Sequence, residues 1–203
     1  MNRAELKDRV CRAHHELKDR GLMIYTWGNV SAIDRDSGEI AIKPSGIPCE
    51  TLRPEDIVVI DLAGKVVEGH YKPSSDTPTH LRLYSAFARV GAIVHTHSLF
   101  ASAWAQAGRS LPCLGATHAD CFLGSVPCTR ALSLHEITGD YETEIGNVIV
   151  ETFETKRRDP LRTPAVLVNC HGPFTWGETV EDAVYNAVVL EEIARMSHVT
   201  MQI

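Results

Sequence analysis

The segment Ala92-Ile93-Val94-His95-Thr96-His97 constrains this chain more than any other. An apolar run that leads into alternating histidines reads as a half-buried strand, and residues two apart on a strand share a face. Both imidazoles therefore project together, near enough to hold one ion. A second apolar run, Ala165-Val166-Leu167-Val168, leads to His171. Three neutral imidazoles with an open fourth position are the donor set of catalytic rather than structural zinc sites. His95 and His97 alone would suit a packed or surface strand equally well. His171 at a second strand end and Asp76 in a polar turn favour a metal site.

The pattern around these runs interleaves helices and short strands. Leu6, Val10, Ala13 and Leu17 make a helical stripe over residues 3 to 20, which Gly21 is placed to end. Strands are predicted over 30–33, 40–42, 57–60 and 66–67, separated by Asp36-Ser37-Gly38, Ser45-Gly46 and Ala63-Gly64. Thr77-Pro78 reads as an N-cap followed by proline at the first helical position. Further helices are expected over 98–107 and 146–155, with a loop carrying one short strand over 111–130. The last helix starts at a Thr179 cap with Asp182 at its third position. The pattern is one mixed α/β domain, its helices packed on a central sheet.

The 203 residues suit one domain with a full core. A net charge of −6 provides no basic field for nucleic acid or anionic lipid, so a phosphorylated substrate has to be held by local devices. No run of 18 apolar residues predicts a membrane span. The N-terminus lacks the apolar core of a secretory leader, and the six cysteines include no Cys-x-x-Cys pair. Free thiols in the cytoplasm are the expectation.

Three turns have the composition of phosphate cradles: Gly28-Asn29, Ser45-Gly46 and Ser74-Ser75. Glycine lets backbone N–H groups approach an anion, while serine hydroxyls and the asparagine amide donate further bonds. Each alone is an ordinary turn. The third runs directly into Asp76, which by position could equally be a helix cap.

Trp27-Gly28-Asn29-Val30-Ser31, Lys43-Pro44-Ser45-Gly46, Lys72-Pro73-Ser74-Ser75-Asp76-Thr77-Pro78-Thr79-His80, His95-Thr96-His97-Ser98 and His171-Gly172-Pro173-Phe174 together resemble the class II sugar-phosphate aldolase/epimerase family. Thr117-His118-Ala119-Asp120 and the stretch Gly146-Asn147-Val148-Ile149-Val150-Glu151-Thr152-Phe153 extend the likeness over nearly the whole chain. The resemblance implies a single-domain α/β/α sandwich with a central mixed, largely antiparallel sheet. It also implies a homotetramer with active sites near subunit interfaces, and a divalent ion of the zinc type, for which manganese or cobalt would also suit. By matching positions it implies Asp76, His95, His97 and His171 as metal ligands. Gly28, Asn29, Ser45, Gly46, Ser74 and Ser75 would surround the substrate phosphate. Asp120 would be an acid/base residue, supported by Lys43, Thr117 and Glu142.

The activity implied is interconversion of L-ribulose 5-phosphate and D-xylulose 5-phosphate. Carbon 4 carries no proton acidified by the ketone, so inversion there requires breaking and re-forming the C3–C4 bond. The family places a second acid/base tyrosine in a C-terminal segment. The last tyrosine here is Tyr185, so either a short tail beyond Ile203 supplies the group, which is the favoured expectation, or this member lacks it and is impaired. The nearest alternative is an aldolase of the fuculose- or rhamnulose-phosphate type, in which a longer glutamate occupies the position of Asp76. A non-catalytic adducin-like domain should lack the metal ligands. A zinc hydrolase would call for a His-Glu-x-x-His helix, which the sequence does not contain.

Overall fold

A computed structural model describes residues 2–203. Among the described residues seven strands form one sheet: β1 (Asn29–Asp34), β2 (Glu39–Ile42), β3 (Val58–Ile60), β4 (Val66–Glu68), β5 (Ala92–His95), β6 (Ala165–Leu167) and β7 (Pro173–Gly177). Their order across the sheet is β4-β3-β2-β1-β5-β7-β6, and every ladder in it is antiparallel. Among the described residues seven α-helices accompany them: α1 (Arg3–Asp19), α2 (Thr77–Ala86), α3 (Leu99–Gln106), α4 (Ala116–Cys121), α5 (Leu134–Thr138), α6 (Tyr141–Thr155) and α7 (Val180–Thr200).

The period-2 alternation of the strands divides the core in two. Val30, Ala32, Ala41, Ala92 and Val94 face α1 and the first half of α7. Ile33, Ile40, Ile42, Ile93, Phe174 and Trp176 face α2 and α6. Helices thus cover both faces of the sheet, as an α/β/α sandwich requires. A third apolar cluster joins α3, α4 and β6 to the second half of α7.

Local chemistry accounts for the main boundaries. The Thr179 hydroxyl accepts from Asp182 N at 3.1 Å, and Asp182 Oδ2 accepts from Thr179 N at 3.2 Å, a reciprocal cap that starts α7. The start of α2 differs from expectation. Asp76, not Thr77, occupies the cap position, and Thr77 and Pro78 open the helix. The Asp76 carboxylate makes no capping bond and is drawn elsewhere. The loop expected over 111–130 contains α4, and a Leu111–Val126 bridge closes its base. The helix expected from residue 146 begins at Tyr141. Among the described residues, no helix is long and apolar enough to cross a membrane.

Candidate metal centre

Register brings the site residues into one row. Asn29 pairs with His95 across β1–β5, and His95 pairs with Phe174 across β5–β7. The side chains of Asn29, Ser31 and His95 alternate with those buried against α1, so they project toward α2. His95 lies flat on the Phe174 ring, with centroids 4.2 Å apart and planes at 16°.

The strand ends at His95, so His97 stands two residues beyond it rather than on it. The two rings still converge, with His95 Nε2 3.1 Å from His97 Nε2. His171 joins them from the turn after β6, where Cys170 adopts a φ of +60° and Gly172 packs against the Thr96 carbonyl. A Cβ on Gly172 would meet that oxygen at 2.9 Å, so only glycine lets the turn approach. The ligand nitrogens of His95, His97 and His171 all lie within 4.8 Å of one another. Tetrahedral ligands about 2.0–2.1 Å from zinc stand roughly 3.3 Å apart, close to the His95–His97 separation.

The electrostatics suit a cation. Burial lowers the pKa of His95 to about 3, helped by His97 and opposed by the bond to Pro173. Burial, then His95, lowers His171 to about 3, and burial also lowers His97. Neutral imidazoles keep the lone pairs a metal needs. His95 Nδ1 lies 3.0 Å from the Pro173 carbonyl, which assigns the proton to Nδ1 and turns Nε2 inward. His171 Nδ1 is buried with no protein partner among the described residues. The trio is positioned to bind a metal ion.

Asp76 lies beside this set rather than within it. Its Oδ2 accepts from Asn29 Nδ2 at 2.5 Å, while its charge opposes the lowering of His97, His171 and His80. Lys43 is buried and donates to the Thr26 carbonyl at 3.2 Å; burial lowers its pKa, opposed by the charges of Cys49 and Asp76.

The three phosphate-type turns converge here. Lys43 N donates to Val30 O, placing the end of β2 beside the start of β1. Ser45 N donates to Lys72 O and Ser74 N to Lys43 O, which clip Ser45-Gly46 alongside Ser74-Ser75. Gly28 and Gly46 have φ of +81° and +77°. Glu142 sits in the first turn of α6 and lines a groove with Lys72, Ser74 and Ser75.

Thr117 and Asp120 are not brought to this site within one chain. They lie exposed on α4, where Thr117 lines a hollow with Leu114, Ile193 and Met196 against α7. Two further aromatic rings stand beside the histidines. Tyr141 has its ring centroid 6.1 Å from that of His171, and Trp27 stands 6.0 Å from His97. Trp27 opens the first of the family-like motifs, whereas only adjacency to Glu142 points to Tyr141.

A family model for the class II aldolase and adducin N-terminal domain matches residues 8–198. A structure named as L-fuculose 1-phosphate aldolase is 26% identical with a TM-score of 0.82, covering 98% of this chain and 87% of its own. YgbL of Klebsiella pneumoniae is 24% identical with a TM-score of 0.74, over 97% of this chain and 89% of its own. L-fuculose-1-phosphate aldolase from Thermus thermophilus is 22% identical with a TM-score of 0.74, over 99% and 96%; these last two speak to the fold alone. With its histidine trio, its sheet order and a match spanning nearly all its length, the chain belongs to the class II aldolase and adducin N-terminal domain family.

Proposed function

We propose that this protein is a divalent-metal-dependent sugar-phosphate epimerase that interconverts L-ribulose 5-phosphate and D-xylulose 5-phosphate through the C3–C4 bond. The observation that carries the reading is the convergence of three histidines and three serine/glycine turns at one end of the sheet. His95, His97 and His171 hold the ion, with Asp76 as countercharge and candidate fourth ligand. Bound there, the ion supplies Lewis acidity toward the ketone and its neighbouring hydroxyl.

The chain's own residues do the rest. Asn29, Ser45 and Ser74-Ser75, with the backbone at Gly28 and Gly46, grip the phosphate. They retain glycolaldehyde phosphate once C3–C4 has broken. Cleavage takes the proton from the C4 hydroxyl, turns C4–O into a carbonyl and leaves the bonding pair conjugated with the C2 ketone. The aldehyde then turns its other face and recondenses. Asp120 handles the C4 oxygen proton. It reaches the site from a neighbouring copy in a homo-oligomer, proposed to be a tetramer, with Thr117 beside it. Lys43 and Glu142 support from the phosphate side.

An aldolase of the fuculose-phosphate type is the second reading, favoured by the 26% identical structure. The short Asp76, tied to Asn29 at 2.5 Å, favours epimerisation over release, because the family's aldolases carry a longer glutamate there. Carbon-13 NMR of the zinc-loaded protein with L-ribulose 5-phosphate tests the choice. D-xylulose 5-phosphate without free aldehyde is expected. Aldehyde accumulation from a ketose 1-phosphate, with no pentulose epimerisation, would overturn it in favour of the aldolase.

A further inference from the structure

His80 ends one of the family-like motifs, and the reaction above gives it no task. It is 1% exposed, on α2, one helical turn after Asp76. Its Nδ1 lies 2.7 Å from Ser31 Oγ, which in turn lies 2.7 Å from the Tyr84 hydroxyl. Asn29 and Ser31 are neighbours on one face of β1, so two rungs join β1 to α2: Asn29–Asp76 and Ser31–His80.

Tyr84, Ser31 and His80 form one hydrogen-bonded chain in which either hydroxyl can be the donor. His80 Nδ1 is committed to Ser31, which leaves Nε2 for another partner. Among the described residues His80 Nε2 is buried without a protein partner, and so is Asn29 Oδ1 on the neighbouring rung. A water can donate to the amide oxygen and pair with Nε2 in either tautomer, since it both donates and accepts. Adjacent rungs stand roughly 6 Å apart along the backbone, by one helical turn or two strand residues, and side chains leaning toward each other across that gap come within the roughly 4.5–5.5 Å that one bridging water spans.

We propose that one buried water joins His80 Nε2 to Asn29 Oδ1, and that His80 is thereby the positioning residue that aims the Asn29 amide at Asp76. Tyr84, Ser31 and His80 form the rigid support, extended by Arg35, which binds the Tyr84, Phe87 and Val90 carbonyls. His80 touches neither substrate nor ion; it acts through Asn29. The catalytic consequence rests on the epimerase reading, whereas the placement of Asn29 does not.

Three substitutions separate positioning from packing. Glutamine reaches the place of Nε2, asparagine reaches only that of Nδ1, and phenylalanine keeps the edge contact with Phe174. His80→Gln should keep kcat within about threefold. His80→Asn and His80→Phe should lose roughly 30- to 100-fold in kcat, the scale of a displaced positioning group, with bound zinc unchanged. Crystals of the wild type should show a water within hydrogen-bond distance of both atoms. Crystals of His80→Phe should show the Asn29 amide turned from Asp76. His80→Asn matching His80→Gln in rate, or Asn29 unmoved in His80→Phe, would overturn the proposal. If the wild type turns over no sugar phosphate, the epimerase reading fails and the two crystal structures still decide the role of His80.

Discussion

Gly28→Ala tests the join between the first phosphate turn and the metal centre. Gly28 has a φ of +81°, and a Cβ built there meets the His95 carbonyl oxygen at 2.7 Å. Left-handed backbone costs an alanine about 1–2 kcal/mol, partly offset by about 0.4–1 kcal/mol from a stiffer unfolded chain. Forcing apart two paired strands adds about 1–3 kcal/mol, the usual scale of overpacking. The sum is about 1–4.6 kcal/mol, or roughly 2–18 °C in Tm at about 2–4 °C per kcal/mol for a domain of this size. Because the atom displaced belongs to His95, zinc affinity should fall about 10- to 100-fold as well. Gly46→Ala is the control. It shares the positive φ, at +77°, but a Cβ there meets nothing within 4 Å. It should cost about 1 kcal/mol or less and leave zinc binding unchanged. Urea unfolding and competitive zinc titration of both variants decide the matter. Equal stabilities, with zinc affinity intact in each, would refute the coupling of Gly28 to His95.

Asn29→Ala should raise KM strongly and release glycolaldehyde phosphate during turnover, which coupled reduction of the aldehyde would detect; an unchanged KM without leakage would place the phosphate elsewhere. His14 provides a pH prediction: burial lowers it to about 3, while its ring bridges the Val10 carbonyl and Val30 N–H. An unfolded histidine titrates near 6.5, so the unfolded chain binds the extra proton between the two values. His14 therefore contributes fully above pH 6.5, and its contribution is lost as pH falls toward 3, by up to about 1.4 kcal/mol per pH unit. His14→Gln should flatten unfolding free energy against pH between 6 and 4 by about one proton; an unchanged slope would show that His14 is protonated in the fold.

The parts of this site legible in the sequence are those set by local periodicity. The alternation that separates Val94 from Ile93 and His95 is a property of any strand, and it aimed both histidines at one face even though the strand stops at His95. The Thr179 cap was equally local. What escaped depends on contacts distant in sequence. Asp76 occupies a cap position, but Asn29, 47 residues away, takes its carboxylate. The polar seam of Ser31, His80 and Tyr84 exists only because α2 lies across β1. Helix α4 is short and closes a glycine- and proline-rich stretch, so its pattern never reached one full amphipathic repeat. Asp120 sits on it away from the histidines, a placement that no reading of one chain's order could supply.

The central claim is that the histidine trio holds the ion on which carbon–carbon cleavage depends. Protein stripped by chelator and titrated with zinc should convert L-ribulose 5-phosphate at a rate that rises linearly and breaks at one equivalent per chain. His97→Asn should show neither the break nor appreciable turnover. Full turnover by stripped protein, or a His97→Asn variant that binds one zinc and works at the normal rate, would contradict the account.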